Sequence, residues 1–333
     1  MAEGKLDGKF EGQSERAMEF AGLEALYKRK DGILAGPFIF TFDVTVPQSE
    51  GSFDGCCCRV EIRQGPHRTI MLLPGFPVRW DRLAALLSQV ERLLMVFEGR
   101  FIPLCDVRFF GSAGASLPAE SDCAEARDYV QKQRLNCYCT PNWMLSAKQL
   151  VDARSVLTTE LFAAWLKLLD ELGIVNQVYL YAVSDSGMPR DVSLAFVAEM
   201  AEPMVELMKA KRSLFPELHP GKRGTTLAKC LKALIGQYGD AIFKKELAGD
   251  LEALIDRLVG TRVQVMHIKR NQESAKRFDG VHCVLYINKL SLLYRVMLLD
   301  LLGVGEASYS GALKSIVDCL DDWLRQIEGT ESR

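Results

Sequence analysis

The apolar residues of this chain change their period part-way along it, and that change limits the fold more than any other feature. Over residues 36–74 they alternate. "GPFIFTFDVTVP" (36–47) sets aromatic or branched residues against smaller or polar ones and closes on Pro47, which predicts a strand. "CCCRVEIRQGPHRTIMLLP" (56–74) predicts two more strands about the turn Gly65-Pro66, and the three together predict an antiparallel sheet. From residue 80 the period lengthens. In "WDRLAALLSQVERLLMVFEGRF" (80–101), Leu83, Leu86, Leu87, Val90, Leu93 and Leu94 recur at intervals of three and four, giving a helix with one apolar face.

Further along, "FIPLCDVRFFG" (101–111) predicts a strand, "GSAGASLPAESD" a loop, and residues 146–173 a long helix stopped by Gly173. "QVYLYAVSDSG" (177–187) reads as a strand, and residues 191–214 as a helix bent at Pro203. Two prolines, two glycines and a basic pair in "FPELHPGKRGTT" (215–226) then interrupt the pattern, as a seam between domains does. Beyond it strand signals nearly vanish. Four helical segments follow at 227–239, 242–267, 284–303 and 311–327, the second striped by Leu247, Leu251, Leu254 and Leu258. The expected organisation is a polar lead-in over 1–35, an α+β domain with an antiparallel sheet over 36–215, a linker over 216–226, and an all-α bundle over 227–328. A chain of 333 residues, 48% hydrophobic and 25% charged, has enough apolar material for two such cores.

The net charge of -2 supplies no global positive field, so nucleic acid would have to find a local basic patch. The 10 cysteines, with Cys56, Cys57 and Cys58 adjacent and Cys137 close to Cys139, follow no regular disulfide framework. They read as reduced thiols acting as small apolar side chains. The alternative is a four-ligand zinc site from Cys105, Cys123, Cys137 and Cys139, although no CxxC pair provides the usual spacing. "MAEGKLDGKFEG" has no apolar h-region and no run of about 18 apolar residues occurs, so a soluble cytoplasmic protein without a membrane span is expected. GxGxxG, Walker A, HExxH and GxSxG patterns are absent, and no cofactor is expected.

Of the 4 histidines, two have an arginine five positions earlier: Arg262 before His267 in "TRVQVMH", and Arg277 before His282. Five helical residues turn about 140°, so Arg262 and His267 share one broad side of a helix without stacking. Two readings fit. Both side chains enter a cleft at the helix end, or an exposed arginine precedes a histidine that caps the helix C-terminus, where the dipole favours a cation.

Residues 222–328 resemble a HEPN domain of the form found at the C-terminus of ApeA-like proteins. The resemblance rests on "KALIGQYG", on "LEALIDRLVGTRVQVMH" running into an Rx4-6H motif, and on "LYINKLSLLYRVMLLDLLGV". Arg277 and His282 match no family position. Upstream, "ELFAAWLKLLDELGIVNQVYLYAVSDSG" and "FVAEMAEPMVEL" look like the end of an ApeA-type N-terminal domain, with Trp165, Tyr179 and Glu202 at its positions. As residues, Trp165 and Tyr179 read as core.

The resemblance implies a metal-independent endoribonuclease of bacterial anti-phage defence, acting by abortive infection, whose N-terminal domain answers a phage-derived trigger. His267 would move the proton, Arg262 would stabilise charge on the phosphate, and a twofold homodimer would bring two such motifs together. The apolar helices at 284–303 and 311–327 are expected to contribute to that interface. Lys269, Arg270, Lys276 and Arg277 would hold RNA phosphates, or else form a solvated loop. One position departs from the family pattern: Val263 stands where a polar residue, often Asn, follows the arginine. It supports an alternative, a HEPN-like dimerisation or sensor module without catalysis. A metal-binding regulatory protein using the cysteines is a third reading.

Overall fold

The computed structural model describes residues 19–28, 38–47, 55–64, 67–101, 104–111, 124, 126–128, 130, 140–184, 187–222, 224–267, 277–278 and 280–331. The N-terminal region is built on a five-stranded antiparallel sheet in the order β3-β4-β5-β2-β7, from β2 (Gly22–Lys28), β3 (Phe38–Pro47), β4 (Gly55–Gln64), β5 (His67–Pro74) and β7 (Leu104–Phe110). Two short strands, β1 (Glu19–Phe20) and β6 (Val78–Arg79), pair beside it. Register explains the alternation read from the sequence. Phe42 lies opposite Val60, Val60 opposite Leu72, Leu72 opposite Leu23, and Leu23 opposite Phe109, so one buried apolar row crosses all five strands. On the other face Thr41, Asp43, Arg59, Arg63 and Arg108 are exposed. A sheet with one wet face gives this period-2 pattern.

Strand β2 corrects the expectation of a lead-in over residues 1–35. Leu23, Ala25 and Tyr27 are buried, and the strand occupies an interior place between β5 and β7. Glu, Ala and Leu favour helices over strands, so the alternation in "GLEALYK" was masked by propensity; pairing on both edges overrides it.

Two helices cover the apolar face. The first, α1 (Trp80–Glu98), buries Leu83, Leu86, Leu87, Val90, Leu93 and Leu94 as its period requires, and ends on Gly99 at φ 69°, a left-handed cap that favours glycine. Its Glu91 accepts from the Tyr27 hydroxyl at 2.5 Å, and its Glu98 forms a buried fork with Arg68 of β5. After the short α2 (Ala153–Val156), α3 (Thr159–Leu172) starts on the side chain of Thr158, sets Phe162 against Phe42 at 5.0 Å, and directs the Trp165 indole N–H to Gln89 O at 2.9 Å. Trp165 is fully buried, in keeping with a core role.

Of the stretch expected as a strand at 177–187, residues 177–183 are helical, within α4 (Ile174–Val183). Its Val and Tyr content favours strands, but Asn176, Tyr179, Leu180 and Val183 bury at helical spacing. The expected helix over 146–173 is likewise shorter, beginning at Thr159 apart from the turn of α2. The helix expected over 191–214 is two helices, α5 (Arg190–Glu199) and α6 (Ala201–Arg212), and the break falls at Met200. Pro203 lies in the first turn of α6, where its missing N–H costs no intrahelical bond.

Among the described residues beyond 226, five α-helices follow: α7 (Leu227–Tyr238), α8 (Lys244–Ala248), α9 (Leu251–His267), α10 (Gly280–Leu301) and α11 (Ser310–Glu331). The segment expected as one helix over 242–267 breaks at Gly249 and restarts where Asp250 accepts from Ala253 N at 2.9 Å. Both α9 and α10 pack on α5, so one continuous apolar core runs from the sheet through both sides of the 215–226 turn. Helix α10 is buried without interruption from Ile287 to Leu299, including the charged Lys289 and Arg295. From Ile287 to Leu299 its surface is used within the chain, which narrows what residues 284–303 have left for a partner. No helix of the described residues is long and apolar enough to cross a membrane.

Candidate functional site

Helix α9 is continuous through Arg262 and His267, and His267 is its last described residue. At a rise of 1.5 Å per residue the two are spaced about 7.5 Å along one axis. The apolar side of α9, Leu254, Ile255 and Leu258, is buried, whereas Arg262 keeps 28% of its side chain exposed. Val263 beside it is half-buried and Met266 is exposed.

The guanidinium of Arg262 is paired with Glu199, the last residue of α5. Its Nε donates to Glu199 Oε1, and Nη2 faces the same oxygen. A further carboxylate, Glu202, interacts with both members of the pair. Burial, then Glu199 and Glu206, push the Glu202 carboxyl above its usual range, against the lowering effect of Arg262. Glu202 and Glu206, added to burial, raise the Cys230 thiol of α7 to about 11. Cys230 is therefore a protonated core residue with no nucleophilic character at neutral pH.

The residue before the arginine ties down the start of α10. Thr261 Oγ1 accepts from Phe278 N at 3.0 Å and donates to Arg257 O at 2.8 Å. Arg257 lies over the Phe278 ring at 4.3 Å and donates to the Arg277 carbonyl at 3.3 Å. Arg277 is thus brought close to α9 through its main chain, and it is exposed. Lys269, Arg270 and Lys276 lie outside the described residues. His282 is half-buried, its ring stacked on Phe278 at 6.1 Å, and His219 Nδ1 lies 2.9 Å from Lys209 Nζ.

Of the residues considered for zinc, Cys105 is exposed on β7, while Cys123, Cys137 and Cys139 lie outside the described residues. Among the described residues no group of three or more His, Cys, Asp or Glu side chains is placed to hold a metal ion. The sequence reading missed Glu199 and Glu206 as neighbours of the motif. Their signal is the spacing in "EMAEPMVE", where carboxylates recur at three and four. By itself that pattern describes a solvated helix face; the packing of α5 on α9 brings Glu199 to Arg262.

Comparison with known proteins agrees with this geography. Residues 205–308 match the family model described as Apea-like HEPN. The match starts in α6, takes in α7, α8, α9 and α10, and stops before α11, so it contains both Arg262 and His267 and leaves Glu199 outside. Neither the curated proteins nor the solved structures contain a match to the chain.

Proposed function

We propose that the chain is a metal-independent HEPN endoribonuclease of bacterial anti-phage defence, with Arg262 and His267 as its catalytic pair. The observation that carries this reading is the coincidence of the family match with the one helix that holds both residues. The 2′-hydroxyl of a ribose attacks the adjacent phosphorus, its proton passes to an imidazole, and the bond from phosphorus to the 5′-oxygen breaks as that oxygen takes up a proton. The products are a 2′,3′-cyclic phosphate and a 5′-hydroxyl. Imidazole suits both proton transfers because its ordinary pKa lies near neutrality. The guanidinium suits the phosphoryl oxygens, whose negative charge grows in the transition state. One imidazole cannot be base and acid at once, so a twofold dimer supplies the second. Since α10 is buried within the chain from Ile287 to Leu299, that interface is formed outside this stretch.

Purified protein incubated with single-stranded RNA in EDTA tests the reading. Cleavage to cyclic-phosphate ends is expected in the wild type. Arg262→Ala and His267→Ala are each expected to abolish it while the circular dichroism and the elution volume of the dimer stay unchanged. Wild-type cleavage in both variants removes these residues from the mechanism. Folded, RNA-inert wild type that still dimerises favours the sensor-module alternative suggested by Val263.

A further inference from the structure

The contact between Arg262 and Glu199 joins the candidate nuclease motif to a helix outside the matched family segment. Four features describe that contact. The Nε–Nη2 edge of a guanidinium is a fork that fits two oxygens of a carboxylate or of a phosphate, and here a carboxylate oxygen occupies it. Glu202 interacts electrostatically with both Glu199 and Arg262, so the guanidinium has a second carboxylate near it besides its partner. The pair is partly solvated, at 28% and 24% exposed, unlike the ion pair of Lys289 with Glu246, in which the lysine is 1% exposed. A half-open pair exchanges its partner at far lower cost than a buried one. Finally, Glu199 is the last residue of α5, next to the break at Met200, and Glu202 lies in the first turn of the helix on the other side of it.

We propose that Glu199 is an autoinhibitory latch: its carboxylate occupies the phosphate-binding edge of Arg262, and a shift at the α5–α6 joint that withdraws it opens the site to RNA. The consequence for cleavage rests on the nuclease reading, but the latch is a statement about access to Arg262 and is testable without RNA. A structural brace would oppose α5 movement; a latch holds the site shut until the region upstream of the HEPN segment moves α5.

The test uses the full chain and two readouts. Phenylglyoxal modifies accessible guanidinium groups, and peptide mass spectrometry measures its rate at Arg262. In Glu199→Gln, which keeps the shape and removes the charge, Arg262 is expected to react roughly tenfold faster than in the wild type, as the loss of one charge-assisted contact implies. An unchanged rate overturns the latch. In parallel, cleavage of single-stranded RNA is expected to rise in Glu199→Gln and to vanish in Glu199→Gln combined with Arg262→Ala. A fall in cleavage in the single variant also overturns the latch and marks Glu199 as a positioning residue. Faster labelling with no RNA cleavage in any variant upholds the latch and sinks the nuclease reading. Should Glu199→Gln fail to fold, Glu199→Asp, which retracts the carboxylate by one methylene, is expected to label at an intermediate rate; labelling at the wild-type rate overturns the proposal.

Discussion

Two arginines of the helical region face opposite electrostatic situations. Arg295, in the middle of α10, is fully buried and spends its donors on four main-chain carbonyls: Val96 at 2.8 Å and Phe97, Ser146 and Lys148 at 3.0 Å each. Val96 and Phe97 belong to the last turn of α1, whose carbonyls have no intrahelical partner and carry the negative end of the dipole. Arg295 thus caps a helix of the N-terminal region from inside the C-terminal one. Gly99 leaves room for it, since a Cβ there would overlap the guanidinium. Burial lowers the Arg295 pKa to about 10, which leaves it charged at neutral pH. Arg262, by contrast, is partly solvated and faces a carboxylate. Carbonyl acceptors fixed in the main chain make a permanent joint, whereas a carboxylate on a neighbouring helix is a partner another anion can replace.

The comparison breaks first at Arg295. Arg295→Met removes the guanidinium from four carbonyls, of which Phe97 O and Ser146 O keep main-chain N–H donors, and is expected to cost about 3–5 kcal/mol in urea unfolding. Arg262→Ala is expected to cost no more than about 1 kcal/mol, as a partly exposed pair. Equal losses at the two positions would erase the distinction between joint and site. A second, smaller test is Asn288→Ala, two turns earlier on the same helix face. Asn288 accepts from the buried Ser146 N at 2.7 Å and donates to Trp143 O at 3.2 Å, so the variant is expected to lose about 1–3 kcal/mol in the same measurement.

The smallest effect concerns Glu202, and its sign follows from the direction of its shift. A carboxyl with a raised pKa binds a proton in the folded state over a window where the unfolded chain has released it. Stability therefore falls as pH rises through that window, and the ionised carboxylate opposes folding above it. Glu202→Gln is expected to melt slightly higher than the wild type at pH 7, with the difference shrinking as pH drops below the ordinary carboxylate range. A lower melting temperature at pH 7 would show that Glu202 makes a net favourable contact with Arg262.

Where a segment has one neighbour and one wet face, its pattern was legible. The leucines of α1 and the alternation of β3, β4 and β5 were read correctly because burial on one side prints its period directly on the sequence. Segments packed on several sides were not. Tyr179 meets Ser291 through its hydroxyl at 2.8 Å and the Tyr294 ring at 4.3 Å, contacts with α10 that hold a strand-prone segment in a helix. In α10 itself every residue from Ile287 to Leu299 is buried, so no stripe revealed that this surface was already covered. The motif was visible as an arginine and a histidine on one helix. Its electrostatic setting was not, because Glu199 stands 63 positions away.

The sequence alone determined the periods, and with them the sheet, the helices and the placing of Arg262 and His267 on a single helix, because local periodicity records which side of an element is buried. Only the tertiary structure decided which charge meets which. Coulomb and hydrogen-bond partners depend on distances of a few ångströms in space, and the packing of α5 on α9 and of α10 on α1 sets those distances without leaving a local trace.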